Sequence, residues 1–182
     1  IYKNAKNYYK SVFEHAGGSI SFYPDKNGAA PTAELYHRET RSISVQNVKE
    51  FCKKHGITEN VFFISAFGIT LGKYNFKKDA VFTTIYHGRN DSRLENTVCM
   101  LVKTLPVYCS CDPKVTIQAY MTELSEQILS SMANDIFPFS DICAKYGINS
   151  DLVFAYQAEL GDDFPIGDTV ARGHDLSPDM SK

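Results

Sequence analysis

The chain has 182 residues, of which 43% are hydrophobic and 22% charged, with a formal net charge of -2. That length suits one domain or one lobe of a larger one, and the composition is far from that of disordered chains. Near-neutral charge gives no basic face for nucleic acid, and the longest apolar stretch, Val61 to Leu71, is too short to cross a bilayer.

In chain order, the spacing of Tyr8, Tyr9, Val12 and Phe13 predicts a helix over 4–14, ended by Gly17-Gly18. Two prolines with an Asp, an Asn and a Gly make 23–31 a loop, followed by an extended segment over 35–43. Ser44 is placed to cap a helix carrying Val48, Phe51, Cys52 and His55 on one face, and Gly56 closes it. His55 reads as a cation at the negative end of that helix rather than as a catalyst.

A further helix starts at Thr58, with Ile57 set to staple against Phe62. Its apolar residues, from Val61 to Leu71, cover nearly the whole circumference and predict burial on most sides. After the turn at Lys77-Lys78-Asp79, the run Ala80 to Tyr86 reads as a buried strand. Strands are also expected over 104–108 and 152–156. Between them, Ile117, Tyr120, Met121, Leu124, Ile128 and Met132 mark a long amphipathic helix, and 139–146 a short one closed by Gly147. From Gly161 onward the chain shows no periodicity and reads as an irregular tail. The order α, β, αα, β, β, αα, β predicts an α+β domain with helices packed on a mixed sheet.

Five cysteines, Cys52, Cys99, Cys109, Cys111 and Cys143, lack framework spacing and fit a reducing cytoplasm better than a disulfide scaffold. No second cysteine pair or nearby histidine completes a zinc tetrahedron, so no metal site is expected. GxSxG, Walker, GxGxxG, HExxH and CxxC motifs are all absent.

The string His87-Gly88-Arg89-Asn90, with Val98 to Pro106 and Asp151 to Gln157, resembles the second half of a condensation domain of nonribosomal peptide synthetases. Val98 to Pro106 is similar to the pattern (I/V)GxFVNTLP, departing at Cys99 and at Lys103, which stands for the usual Asn. Asn134 to Phe139 resembles (H/N)QxYPF with Asp135 and Phe137 substituted, and Asp151 to Gln157 resembles DVMFSYQN. Ser181-Lys182 falls where the family continues into a Lys-Phe-Asp-Leu strand.

The resemblance implies the chloramphenicol-acetyltransferase-like fold, with residues 1–182 forming its C-terminal lobe, cut short at both ends. It also implies amide formation between carrier-bound thioesters, in a cleft shared with an N-terminal lobe that carries the HHxxxDG motif. No such motif occurs here, so no residue of this chain is expected to be catalytic and the chain alone is expected to be inactive. By family position Tyr86, Lys103, Thr104, Tyr156 and Gln157 border the substrate channel. Lys103 either meets substrate there or reaches solvent with its stem packed. The string His87 to Asp91 imitates H-x-x-x-D but aligns with a strand end, where the planar fork of Arg89 holds a loop or a carbonyl. No cofactor is expected on this chain; phosphopantetheine arms come from donor and acceptor carrier domains, with an adenylation domain as neighbour. A noncatalytic carrier-docking module, and an epimerization or cyclization relative, share the same features.

Overall fold

Local signals set the elements. The structure, a computed structural model, describes residues 1–14, 16, 39, 41–89, 91–110, 112–148, 151–157 and 163–172. Thr58 caps the central helix, its hydroxyl accepting the Val61 N–H at 3.2 Å, and that helix runs as α3 over Glu59–Tyr74. Before it lie α1 (Tyr2–Phe13) and α2 (Val45–His55), the latter starting directly after Ser44. After it come β1 (Asp79–Tyr86), β2 (Lys103–Ser110), α4 (Ile117–Ala133), α5 (Phe139–Tyr146) and β3 (Val153–Phe154). The loop and extended segment expected over 23–38 lie outside the described residues.

The chain divides into two compact units, one comprising Ile1–Phe22 with Val45–Tyr156, the other Tyr23–Ser44 with Gln157–Lys182. In the first, β1 is central in the order β2-β1-β3, antiparallel to β2 and parallel to β3. This is the mixed sheet expected. Alternation along β1 sends Ala80 and Phe82 to one face and Val81 to the other. The first face packs on Val61, Ile64 and Leu71 of α3 and on Tyr120, Leu124 and Ile128 of α4, and the second on Tyr9 and Phe13 of α1 and Ile142 of α5. Burial on both faces is why β1 reads as an unbroken apolar run. As expected, α3 is enclosed on most sides, and its exposed residues are Ala66 and Thr70 with Lys73 and Tyr74 at its C-terminal end.

A strand at the border of a sheet leaves backbone groups unpaired. In β2 a side chain meets that need: the Gln127 amide accepts the Tyr108 N–H at 2.9 Å and donates to the Tyr108 carbonyl at 2.9 Å. The α4 helix thus stands in for one residue of a missing strand. It is also tied to α1, because the Tyr8 hydroxyl donates to the Gln127 carbonyl and shares a hydrogen bond with the Ser131 hydroxyl. Gln127→Ala removes both amide bonds and is expected to lower unfolding free energy by about 2 kcal/mol. Urea titration, with Gln127→Glu retaining only the acceptor and falling between, checks this.

On the other side of β1, β3 is shorter than the 152–156 expected. Its neighbours add hydroxyls to the ladder: Thr83 Oγ1 donates to the Leu152 carbonyl and Thr84 Oγ1 to the Phe154 carbonyl, both at 3.0 Å.

In the second unit, the stretch read as an irregular tail contains a hairpin, β4 (Asp163–Ile166) with β5 (Thr169–Arg172), joined by Gly167-Asp168. Four-residue strands are too short to show alternation, and Pro165 breaks the pattern further.

Candidate functional site

The sheet register collects the sequence candidates at one end. Tyr86 is the last residue of β1 and lies opposite Lys103, the first of β2, with Thr104 next along the strand. Because β3 runs parallel to β1, Tyr156, two residues past β3, emerges at this same end. Four of the five candidates are thereby brought together. Gln157 is exposed and belongs to the second unit.

Each side chain has a defined situation. Tyr86 is 3% exposed, and burial, with a smaller contribution from the Asp135 carboxylate, raises its pKa above the ordinary phenol value. Tyr156 donates its hydroxyl to Glu59 Oε2 at 2.7 Å and stacks on Phe63 with centroids 5.7 Å apart, which binds this end of the sheet to the start of α3. Lys103 Nζ lies 3.0 Å from Asp135 Oδ2 and 3.3 Å from the Asp135 carbonyl. Lys103 is therefore half-exposed and paired, its ammonium held by Asp135. Sequence reasoning missed Asp135 as its partner. The available signal was that both positions depart from the family patterns, with opposite charges.

Lys103 and Asp135 stand at a cleft of about 400 Å³ that also takes in Thr104, Tyr9, and the apolar side chains of Leu105, Phe137 and Ile142. Tyr9 is fully buried, donates to the Ser131 carbonyl at 3.3 Å, and has its pKa raised by burial first and by Tyr8 next.

The segment joining β1 to β2 is held by one guanidinium. Arg89 donates to the carbonyls of Leu94 at 2.6 Å, Thr97 at 2.8 Å and Cys99 at 3.1 Å. That is the carbonyl-holding role expected of it. His87 accepts the Arg89 N–H on Nδ1 at 2.9 Å and so serves the turn locally. Between them Gly88 has φ 70°, and a Cβ there would overlap the Leu101 carbonyl oxygen. Asp91 caps the short 3-10 turn Ser92–Leu94 and pairs with Arg93, which pulls the Asp91 carboxyl below its usual value. On this braced loop Val98 and Met100 are 101% and 86% exposed.

Neither a nucleophile–base dyad nor a metal cluster emerges from these contacts. No group of three His, Cys, Asp or Glu side chains able to hold a metal occurs among the described residues. Cys52, Cys99 and Cys143 are free thiols. No helix among the described residues is long and apolar enough to cross a membrane.

Residues 1–171 match the family described as condensation domain. The chain belongs to the condensation domain family. Among curated relatives of this condensation domain, it is 26% identical over 129 residues to gramicidin S synthase 2 of Brevibacillus brevis, covering 66% of this chain and 3% of that protein. It is 26% identical over 173 residues to nonribosomal peptide synthetase sidC of Arthroderma benhamiae, covering 87% of this chain and 3% of that protein. The first condensation domain of the calcium-dependent antibiotic synthetase, solved with a substrate analogue, superposes with a TM-score of 0.69 at 16% identity, covering 93% of this chain and 38% of that one. The condensation domain thus has the α+β, chloramphenicol-acetyltransferase-like fold that the motifs implied, and the chain spans little more than a third of a solved example.

Proposed function

We propose that the chain is the C-terminal lobe of a nonribosomal peptide synthetase condensation domain and supplies one wall of the chamber in which amide bonds form. The observation that carries this is the gathering of Tyr86, Lys103, Thr104 and Tyr156 at one sheet end, beside a braced loop whose apolar side chains Val98 and Met100 are left uncovered. Large apolar residues fully in water on a rigid segment mark an interface. The remaining part of the domain is the partner that fits.

In the reaction the amine nitrogen of one carrier-bound aminoacyl group attacks the thioester carbon of another. The C–N bond forms, the C–S bond breaks, and the proton leaving nitrogen ends on the departing thiol. Much of the catalytic task is holding the two arms at attack distance and excluding water, which side chains without a titrating dyad can do. The proton-handling imidazole is supplied by HHxxxDG in the other lobe, as that motif is absent here. Phosphopantetheine arms enter as substrate on donor and acceptor carrier domains, beside an adenylation domain, within a cytoplasmic synthetase.

Aminoacyl transfer between loaded carriers, assayed with this chain alone and with the N-terminal lobe added, tests the proposal. The chain alone is expected to show no turnover, and the mixture to show it. Turnover by the isolated chain would sink the split-chamber reading. Carrier binding without turnover in the mixture would instead mark a docking module.

A further inference from the structure

The opposite end of the sheet, where Asp79 faces Ser110, holds a cavity of about 440 Å³ that the chamber wall does not use. Its apolar lining comes from Ile69 of α3, from Pro113 and Val115 between β2 and α4, and from Ile117 and Tyr120 of α4. Its charged lining is Lys73, Lys77 and Asp112. Neither lysine has an ion pair among the described residues. The neighbouring polar groups are engaged: Asp112 Oδ1 accepts the Lys114 N–H at 2.9 Å, the Thr116 hydroxyl accepts the Ala119 N–H at 3.2 Å, and the Tyr120 hydroxyl donates to the Ser65 carbonyl at 3.3 Å.

The way α3 ends brings both ammonium groups to this cavity. Asn75 closes the helix, Phe76 takes φ 54°, and the Lys77 N–H returns to the Gly72 carbonyl at 2.9 Å, which is the Schellman closure. That turn folds Lys77 back onto the last turn of the helix, where Lys73 lies. Several local choices here are unfavourable together. The left-handed region suits glycine, not a residue with a Cβ. The Phe76 ring is 96% exposed, so packing does not offset that cost. Like charges four residues apart repel. One cation in the last turn of α3 answers the helix dipole, but a second has no such account. Local rules broken together without a compensating contact point to a site.

An organic anion supplies the compensation. Two lysines against one aspartate leave a single net positive charge, which a carboxylate balances and a phosphate dianion exceeds. Carboxylate oxygens accept charge-assisted hydrogen bonds from ammonium groups, and an apolar chain attached to them can cover Ile69, Val115 and Ile117. The volume lies within the range of small-ligand sites. We infer that this cavity binds a free carboxylic acid with an apolar body, its carboxylate held by Lys73 and Lys77. A thioester or amide carbonyl carries no charge, so the ligand is the free acid and not a carrier-bound acyl group. Because Tyr86 and Lys103 lie at the other end of the sheet, the inference does not depend on the lobe reading.

The probe is octanoate, titrated into the 182-residue chain with backbone amide shifts as the readout. Octanamide keeps the chain and removes the charge, and octyl phosphate adds to the charge. Octanoate is expected to bind at least about tenfold more tightly than octanamide, and no more weakly than octyl phosphate, with the largest shifts at Lys77, Val115 and Ile117. Both lysines are exposed, so the double variant Lys73→Gln with Lys77→Gln should keep the amide spectrum of the folded chain while bringing octanoate down to the level of octanamide. A smaller difference between octanoate and octanamide on the parent chain overturns the inference. So does a preference that survives the double variant, tighter binding of octyl phosphate than of octanoate, or an absence of cavity shifts up to about 5 mM octanoate.

Discussion

Gly88→Ala is expected to unlatch the β1–β2 segment and destabilise the start of β2. The residue sits at φ 70°, where an L side chain costs about 1–2 kcal/mol on backbone grounds alone. The added methyl would also overlap the Leu101 carbonyl oxygen and meet its carbon at 3.0 Å. These atoms are backbone, so no rotamer change relieves the clash; either 87–89 or 100–102 must move. Moving the latter pulls on Lys103, and with it the ion pair to Asp135. The expected results are a lower melting temperature and faster amide exchange at Thr104, with Phe82 in mid-strand still protected. Unchanged exchange at Thr104 would show that the close approach at Leu101 does not anchor this end of the sheet.

Phe82→Ala is expected to cost about 3–5 kcal/mol, the range for emptying a buried aromatic site. Phe82 is fully buried and meets Phe67 edge-on with centroids 4.9 Å apart; Phe67 in turn contacts Phe154 of β3 at 5.7 Å. Truncation thus removes the contact joining α3, β1 and β3, the frame on which Tyr86 and Tyr156 are mounted. In a chain of this size such a loss corresponds to a fall in melting temperature of roughly 10 °C. In urea the midpoint should fall with an unchanged slope, the sign of lost stability rather than a changed unfolded state. Phe82→Leu, which fills most of the space, should lose much less.

What the sequence reveals and what it hides divide along contact range. The Thr58 cap, the all-round apolar α3 and the doubly buried β1 are written in neighbouring residues, so periodicity and capping rules find them. Arg89 was legible for the same reason, since its three carbonyls lie within ten residues. The partners that complete the site are distant: Lys103 and Asp135 are 32 residues apart, Tyr108 and Gln127 19, and Tyr156 and Glu59 97. No local pattern joins them, because the turn after α4 and the parallel placement of β3 bring them together. Similarity to the family marked Lys103 as a departure but could not name its counter-ion. The hairpin at 163–172 was hidden by its size, each strand being too short for reliable alternation.

The grip of Arg89 bears on which loop residues evolution or engineering can alter. Main-chain oxygens are common to all twenty amino acids, so a loop shaped by a cation on its carbonyls keeps its outline whatever side chains it displays. Val98 and Met100 can therefore be exchanged to suit a different neighbouring surface, provided that Gly88 and Arg89 stay as they are.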